Sequence, residues 1–110
     1  MLAFSIIAAL AATAAAPDAP VRYGTINCRH FQDSPYKDCQ VAFVSRGEAK
    51  LAAYVTAPDG KVRIIHFRGG QPSSTDAGSQ LHFERKGGAL VISVGKAEMY
   101  EFPDRLVTGK

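Results

Sequence analysis

L-A-A-Y-V-T-A-P-D-G-K-V-R-I-I-H-F-R, from Leu51 to Arg68, is the stretch whose reading decides the fold. Two runs rich in β-branched and aromatic residues flank Pro58-Asp59-Gly60. Proline holds φ near −65°, and glycine accepts positive φ without a Cβ clash, so the chain can reverse tightly between the runs. The stretch therefore predicts a β-hairpin, Lys50 to Thr56 returning as Lys61 to Arg68. In the second arm Val62, Ile64 and His66 alternate with Arg63, Ile65 and Phe67. Both sets hold apolar residues, which predicts a strand covered on both faces near its middle and places Val62 to Phe67 at the centre of a sheet.

Downstream of the hairpin, Gly69 to Ser79 (G-G-Q-P-S-S-T-D-A-G-S) holds turn formers and no apolar residue but Ala77. It reads as the longest loop, and Gln71, Ser73, Ser74 and Asp76 are the candidate binding residues on it. Gln80 to Arg85 reads as a strand, with Leu81 and Phe83 on one face and His82 and Glu84 on the other. Lys86-Gly87-Gly88 is a hairpin turn signal. Ala89 to Val94 and Glu98 to Phe102 continue the alternation, and Leu106-Val107 suggests a last short strand. Upstream, Val21 to Cys28 and Gln40 to Val44 read as strands separated by an aperiodic loop, Arg29 to Asp38. Turn signals recur about every ten residues with no amphipathic helix between them. The expectation is an all-β domain of five to seven strands: a small antiparallel meander sheet, sandwich or partly closed barrel.

Met1 to Ala16 carries no charged side chain. Its apolar centre, Leu2 to Leu10, is shorter than the about 20 residues that cross a bilayer. Small-x-small sites follow at Ala12-Thr13-Ala14 and Ala14-Ala15-Ala16, so residues 1–16 read as the helix of a secretory signal peptide. Cleavage after Ala14 is preferred, because cleavage after Ala16 would leave Pro17 first. Residues 17–20 form a flexible lead-in, and residues 21–110 the antiparallel β domain, periplasmic or secreted, with no stable membrane span after signal cleavage. The mature chain keeps about 95 residues, enough for a net stability of about 5–14 kcal/mol.

An exported chain with two cysteines, Cys28 and Cys39, predicts a disulfide. Its short loop is worth about 2.5–3 kcal/mol in the chain-entropy account. The alternative is a metal site built from Cys28-x-His30 and Cys39, but the C-x2-C spacing of zinc sites is missing. The net charge of +3 is mild, and its lysines and arginines are interspersed with acids, so nucleic acid is not an expected partner.

Catalytic constellations find little support. Ser73 or Ser74, Asp76, and His66 or His82 supply the residue types of a hydrolase triad, yet no G-x-S-x-G elbow surrounds either serine. His66 and His82 suggest a metal pair but lack a third ligand. Glu84, Glu98, Glu101 and Asp104 offer carboxylates for a glycosidase, in a chain too short for a saccharide cleft. Arg63, Arg68, Arg85 and Lys86 read as a solvated face balanced by acids, with an anion-binding face as the sharper reading. No cofactor is expected.

Pro58-Asp59-Gly60-x-x-Arg63-x-Ile65-x-Phe67-x-x-Gly70-x-Pro72, followed by Ile92-x-x-Gly95 and Tyr100-x-x-Pro103-Asp104, resembles small uncharacterised exported proteins of Gram-negative bacteria. The D-G-x-x-x-x-x-x-F portion is similar, over that short span, to periplasmic lysozyme inhibitors, which are small β-proteins. No inhibitory loop motif matches, so no site residue is carried over. These readings converge on a non-enzymatic binding module of the cell envelope, with another envelope or extracellular protein as partner. The alternatives are a lysozyme-inhibitor-like protein and a structural or stress-related envelope protein without a discrete ligand.

Overall fold

The computed structural model describes residues 21–30, 34–78 and 80–108. The expected signal peptide and lead-in, residues 1–20, lie outside the described residues. Eight strands follow one another: β1 (Val21–Arg29), β2 (Lys37–Gly47), β3 (Lys50–Thr56), β4 (Val62–Arg68), β5 (Gln71–Thr75), β6 (Leu81–Lys86), β7 (Ala89–Val94) and β8 (Glu98–Pro103). A short helix, α1 (Asp104–Thr108), ends the described chain. The strands form one antiparallel sheet in the order β5-β4-β3-β2-β1-β8-β7-β6, rolled into a nearly closed barrel. The seam lies between β5 and β6, where Arg85 Nη2 donates to the Gly70 carbonyl at 3.0 Å.

Alternation explains the interior. Ile26 and Cys28 of β1, Cys39, Val41 and Phe43 of β2, Ala53 and Val55 of β3, and Ile65 and Phe67 of β4 all face inward. Leu90, Ile92 and Val94 of β7 and Tyr100 and Phe102 of β8 complete the ring. Each of these six strands thus gives alternate residues to one shared core. Phe102 is the hub of the aromatic layer, with Phe67 edge-on at 5.4 Å and Phe43 at 6.0 Å between centroids. Edge-to-face packing at such distances suits the ring quadrupoles.

The Leu51–Arg68 hairpin forms as its residues predict. Strand β3 pairs β4 from Lys50↔Arg68 to Thr56↔Val62. Gly60 turns at φ 92°, its amide donates to the Ala57 carbonyl at 2.8 Å, and Asp59 Oδ1 accepts from the Lys61 amide at 3.0 Å. At the β6–β7 reversal Gly87 and Gly88 both take positive φ, 55° and 82°, as a two-residue hairpin of this twist requires. The cysteines form the expected bridge, with Cα atoms 5.9 Å apart. It is diagonal: Cys39 sits opposite Ile26, and Cys28 lies two residues along the same inward face.

Four local expectations are corrected. Part of the Gly69–Ser79 loop is strand β5, because closing the sheet supplies β4 as a hydrogen-bonding partner that local polarity does not reveal. Leu106 and Val107 belong to α1 rather than a strand, and Leu106 caps the barrel by packing over Gly24, whose missing Cβ would lie 3.3 Å from Leu106 Cδ1. Strand β4 is second from the sheet edge, and β2 and β1 are central. Only one face of β4 is fully covered: Ile65 and Phe67 are buried inside, while Ile64 and His66 are half-buried outside. Phe83 is exposed although it shares a face with Leu81, because β6 borders the seam.

Candidate functional site

The two barrel ends differ in chemistry. At the end where β1, β3, β5 and β7 finish, Arg63 keeps the inward register of Ile65 and Phe67, and Glu98 keeps that of Tyr100 and Phe102. They meet across the interior: Arg63 Nε donates to Glu98 Oε1 at 2.8 Å and Nη2 to Oε2 at 2.7 Å. Arg63 Nη1 also donates to Asp76 Oδ1 at 2.9 Å, which further accepts from the Ile64 amide at 3.2 Å. The Tyr100 hydroxyl donates to Glu98 Oε1 at 2.7 Å and lies 3.3 Å from His30 Nε2.

Electrostatics follows from this geometry. Burial by itself pushes the Glu98 and Asp76 carboxyls up, but the Arg63 guanidinium, joined by Tyr100 at Glu98 and by the Ile64 amide at Asp76, holds both below their ordinary values. The Arg63 guanidinium is pushed up, chiefly by its hydrogen bond to Glu98. The Tyr100 hydroxyl is pushed up by burial, then by donating to Glu98. Each shift moves its group away from neutrality, the reverse of what a general acid or base requires. The network acts as an internally paired polar plug, one guanidinium to two carboxylates, beside a concavity of about 380 Å³ lined by His30, Lys61, Val62, Arg63 and Glu98.

Of the predicted binding residues, Gln71, Ser73 and Ser74 stand on β5 rather than on a loop, and Asp76 follows it. Asp76 joins the plug, whereas Ser73 Oγ donates to the His66 carbonyl at 3.2 Å, not to its ring. Ser74 pairs opposite His66 and is exposed, and Gln71 opposite Arg68. No Ser-His-Asp constellation is assembled from these residues. His66 on β4 and His82 on β6 are kept apart by β5 in the strand order. Among the described residues no three His, Cys, Asp or Glu side chains are grouped to hold a metal. The four-residue basic patch is dispersed: Arg63 lies in the plug, Arg85 of β6 pairs with Asp104, which follows β8, and Lys86 pairs with Glu84 at 3.0 Å.

At the opposite end, where β2, β4, β6 and β8 finish, the barrel opens into a mouth of about 470 Å³. Leu51, Phe67 and Val107 supply its apolar lining, and Gly47, Gly69 and Gly70 form part of its rim. Its cations are Arg22 and Lys50. Arg22 keeps the inward register of Ile26 and Cys28, its guanidinium lies 4.9 Å from the centroid of the Phe43 ring, and Nη2 donates to the Leu106 carbonyl at 2.9 Å. Among the described residues no carboxylate lines this mouth or pairs with Arg22 or Lys50.

Comparison with protein-family models, with curated proteins and with solved structures found no match.

Sequence reading missed the mouth because its residues span Arg22 to Thr108 and form no motif. One signal was present: Arg22 shares parity with Ile26 and Cys28, so a buried β1 face implies an inward arginine.

Proposed function

We propose that this chain is a non-enzymatic binding module of the cell envelope that receives its ligand at the barrel mouth. The observation that carries this reading is the contrast between the ends. Arg63 is neutralised by two carboxylates, whereas Arg22 and Lys50 border an open cavity without one. Small-molecule sites are concavities with a few precisely placed polar groups, and the mouth supplies a concavity with two fixed cations. Export is supported by the Cys28–Cys39 bridge, which persists in oxidising compartments, and by the signal-like residues 1–16. Among the described residues no helix is long and apolar enough to cross a membrane.

The test is retention from periplasmic extract by the immobilised, disulfide-bonded domain, with bound proteins read on gels and small molecules by native mass spectrometry. The parent should retain a partner that the Arg22→Met/Lys50→Met double variant loses. Equal retention by both, or none by either, overturns the reading. So does turnover of an ester or glycan panel that a single Ser or His substitution abolishes.

A further inference from the structure

We infer that the rim of the mouth binds a doubly charged phosphate group, held by Arg22, Lys50 and Arg68. The inference rests on the binding-module reading above and names the ligand class. Phe67 and Val107 are only 2% and 6% exposed, so the mouth offers a ligand little apolar surface. Recognition there has to come from charge and hydrogen bonds.

An unrelieved repulsion points to an anion. Lys50 of β3 and Arg68 of β4 are directly opposite partners in the ladder, and both are exposed. Like charges so placed destabilise a sheet, and an anion that bridges them removes that cost. Among the described residues no carboxylate pairs with Lys50, Arg68 or Arg22. Glu48, in the β2–β3 turn, is the nearest acid in sequence, but it does not line the mouth. Asp104 is taken up by Arg85, whose Nη2 donates to the Gly70 carbonyl at 3.0 Å.

The donors are held in advance. Arg22 carries five N–H groups, and among the described residues it makes one hydrogen bond, to the Leu106 carbonyl. That bond and the stacking on Phe43 fix the plane of its guanidinium fork. Ser45, in the inward register of Val41 and Phe43, adds a hydroxyl to the lining. The Lys50 side chain runs beside Gly47, where a Cβ would lie 4.0 Å from Lys50 Cδ. The Gly69 amide donates to the Ala49 carbonyl at 2.8 Å, which ties the β4–β5 turn to the β2–β3 turn. Fixed donors lower the ordering cost of binding.

The number of cations selects the anion. A guanidinium fork meets phosphate oxygens at two points, and an ammonium meets them as a point charge. A phosphate monoester carries a charge of about −1.5 to −2 at neutral pH, which answers both Arg22 and the opposed Lys50 and Arg68. A carboxylate carries one charge and leaves the opposed pair less relieved. The open rim accepts the group free in solution or presented by a larger molecule, and the phosphate is what the two sources share.

Two-dimensional amide NMR of the disulfide-bonded domain, titrated with sodium pyrophosphate at fixed ionic strength, tests the proposal. Saturable shifts are expected at Ser45, Gly47, Lys50, Gly69 and Gly70. Acetate should bind at least about tenfold more weakly. Arg22→Met should weaken pyrophosphate about tenfold or more, and Lys50→Gln and Arg68→Gln several-fold each. Lys96→Gln, in the β7–β8 turn, should leave binding unchanged. Pyrophosphate should also raise the melting temperature more than sodium chloride of equal ionic strength, and Arg68→Gln should narrow that gap. Should Arg22→Met fail to fold, the two exposed variants and the acetate comparison still decide. Flotation with phosphatidylcholine vesicles that contain phosphatidic acid, and not with pure phosphatidylcholine, assigns the phosphate to a lipid headgroup. Pyrophosphate binding without flotation assigns it to a soluble molecule. Shifts confined to other surfaces, equal binding of acetate, or an equal loss in Lys96→Gln overturn the proposal. If pyrophosphate fails while the Arg22→Met/Lys50→Met variant still loses a partner from periplasmic extract, the ligand class falls and the binding-module reading stands. If retention also fails, both fall.

Discussion

Arg63 of β4 and Glu98 of β8 join through two parallel hydrogen bonds of 2.8 and 2.7 Å across the barrel interior. Three strands, β3, β2 and β1, separate them in the sheet, so the pair exists only because the sheet closes on itself. Both side chains are 22% exposed, which makes the pair more consequential than a freely solvated one. Glu98→Gln leaves Arg63 with Asp76 alone and is expected to cost about 1–3 kcal/mol in urea denaturation at neutral pH. No loss would show the plug to be energetically idle.

Acid should dissolve the same plug. Glu98 and Asp76 titrate below their ordinary values of 4.5 and 3.8 in the folded state, so the unfolded chain takes up protons first. Their contribution is present above that ordinary range and is lost as pH falls through the depressed folded values. Melting temperature should therefore drop steeply below about pH 4, and Arg63→Met should flatten that limb. An unchanged slope in Arg63→Met would refute the assignment.

Alkali should act through Tyr100. Its hydroxyl is buried and donates to Glu98, so the folded state holds its proton above the ordinary value of 10.0. Stability from this group is complete below that value and declines as pH rises beyond it. Tyr100→Phe is expected to cost about 1 kcal/mol at neutral pH, since it removes one hydrogen bond, and to reduce the loss above about pH 10. Parallel alkaline limbs for parent and variant would contradict this.

The hairpin separates core from surface. Ile65 is fully buried, so Ile65→Ala should cost about 2–5 kcal/mol, while half-buried Ile64→Ala should cost about 1 kcal/mol. A Cβ at Gly60 meets no atom within 4 Å, so Gly60→Val is expected to cost about 1–3 kcal/mol through backbone strain at φ 92°. Denaturant midpoints of the three variants check the order, and an Ile64→Ala loss equal to that of Ile65→Ala would overturn the assignment of faces.

Removing the bridge as Cys28→Ser/Cys39→Ser should lower stability by about 2–3 kcal/mol. The comparison is oxidised parent against double variant by thermal melting, and thiol labelling of denatured, unreduced parent should find no free cysteine.

Much of the local structure was legible. The hairpin turn could be read from Pro58-Asp59-Gly60, the strands of β7 and β8 from alternation, and the disulfide from there being only two cysteines in a chain that looks exported. Strand β5 was not, since Gln71-Pro72-Ser73-Ser74-Thr75 has the composition of a loop and becomes a strand only beside β4. Asp76 was picked out by residue type, but its partner was not, because nothing near it in sequence points to Arg63 as its ion pair.

By itself, then, the order of residues determined which segments extend, where the chain turns and which two sulfurs join. Each depends on a few neighbours, through φ preferences and a period of two. Tertiary structure decided the closure of the sheet, the neutralisation of Arg63 by Glu98, the seating of Leu106 over Gly24 and the placement of Arg22 above Phe43 at an open mouth. These join residues far apart in sequence, and they follow from strand order and register. Both are set by the sum of many small packing and hydrogen-bond energies over the whole barrel, which no local stretch contains.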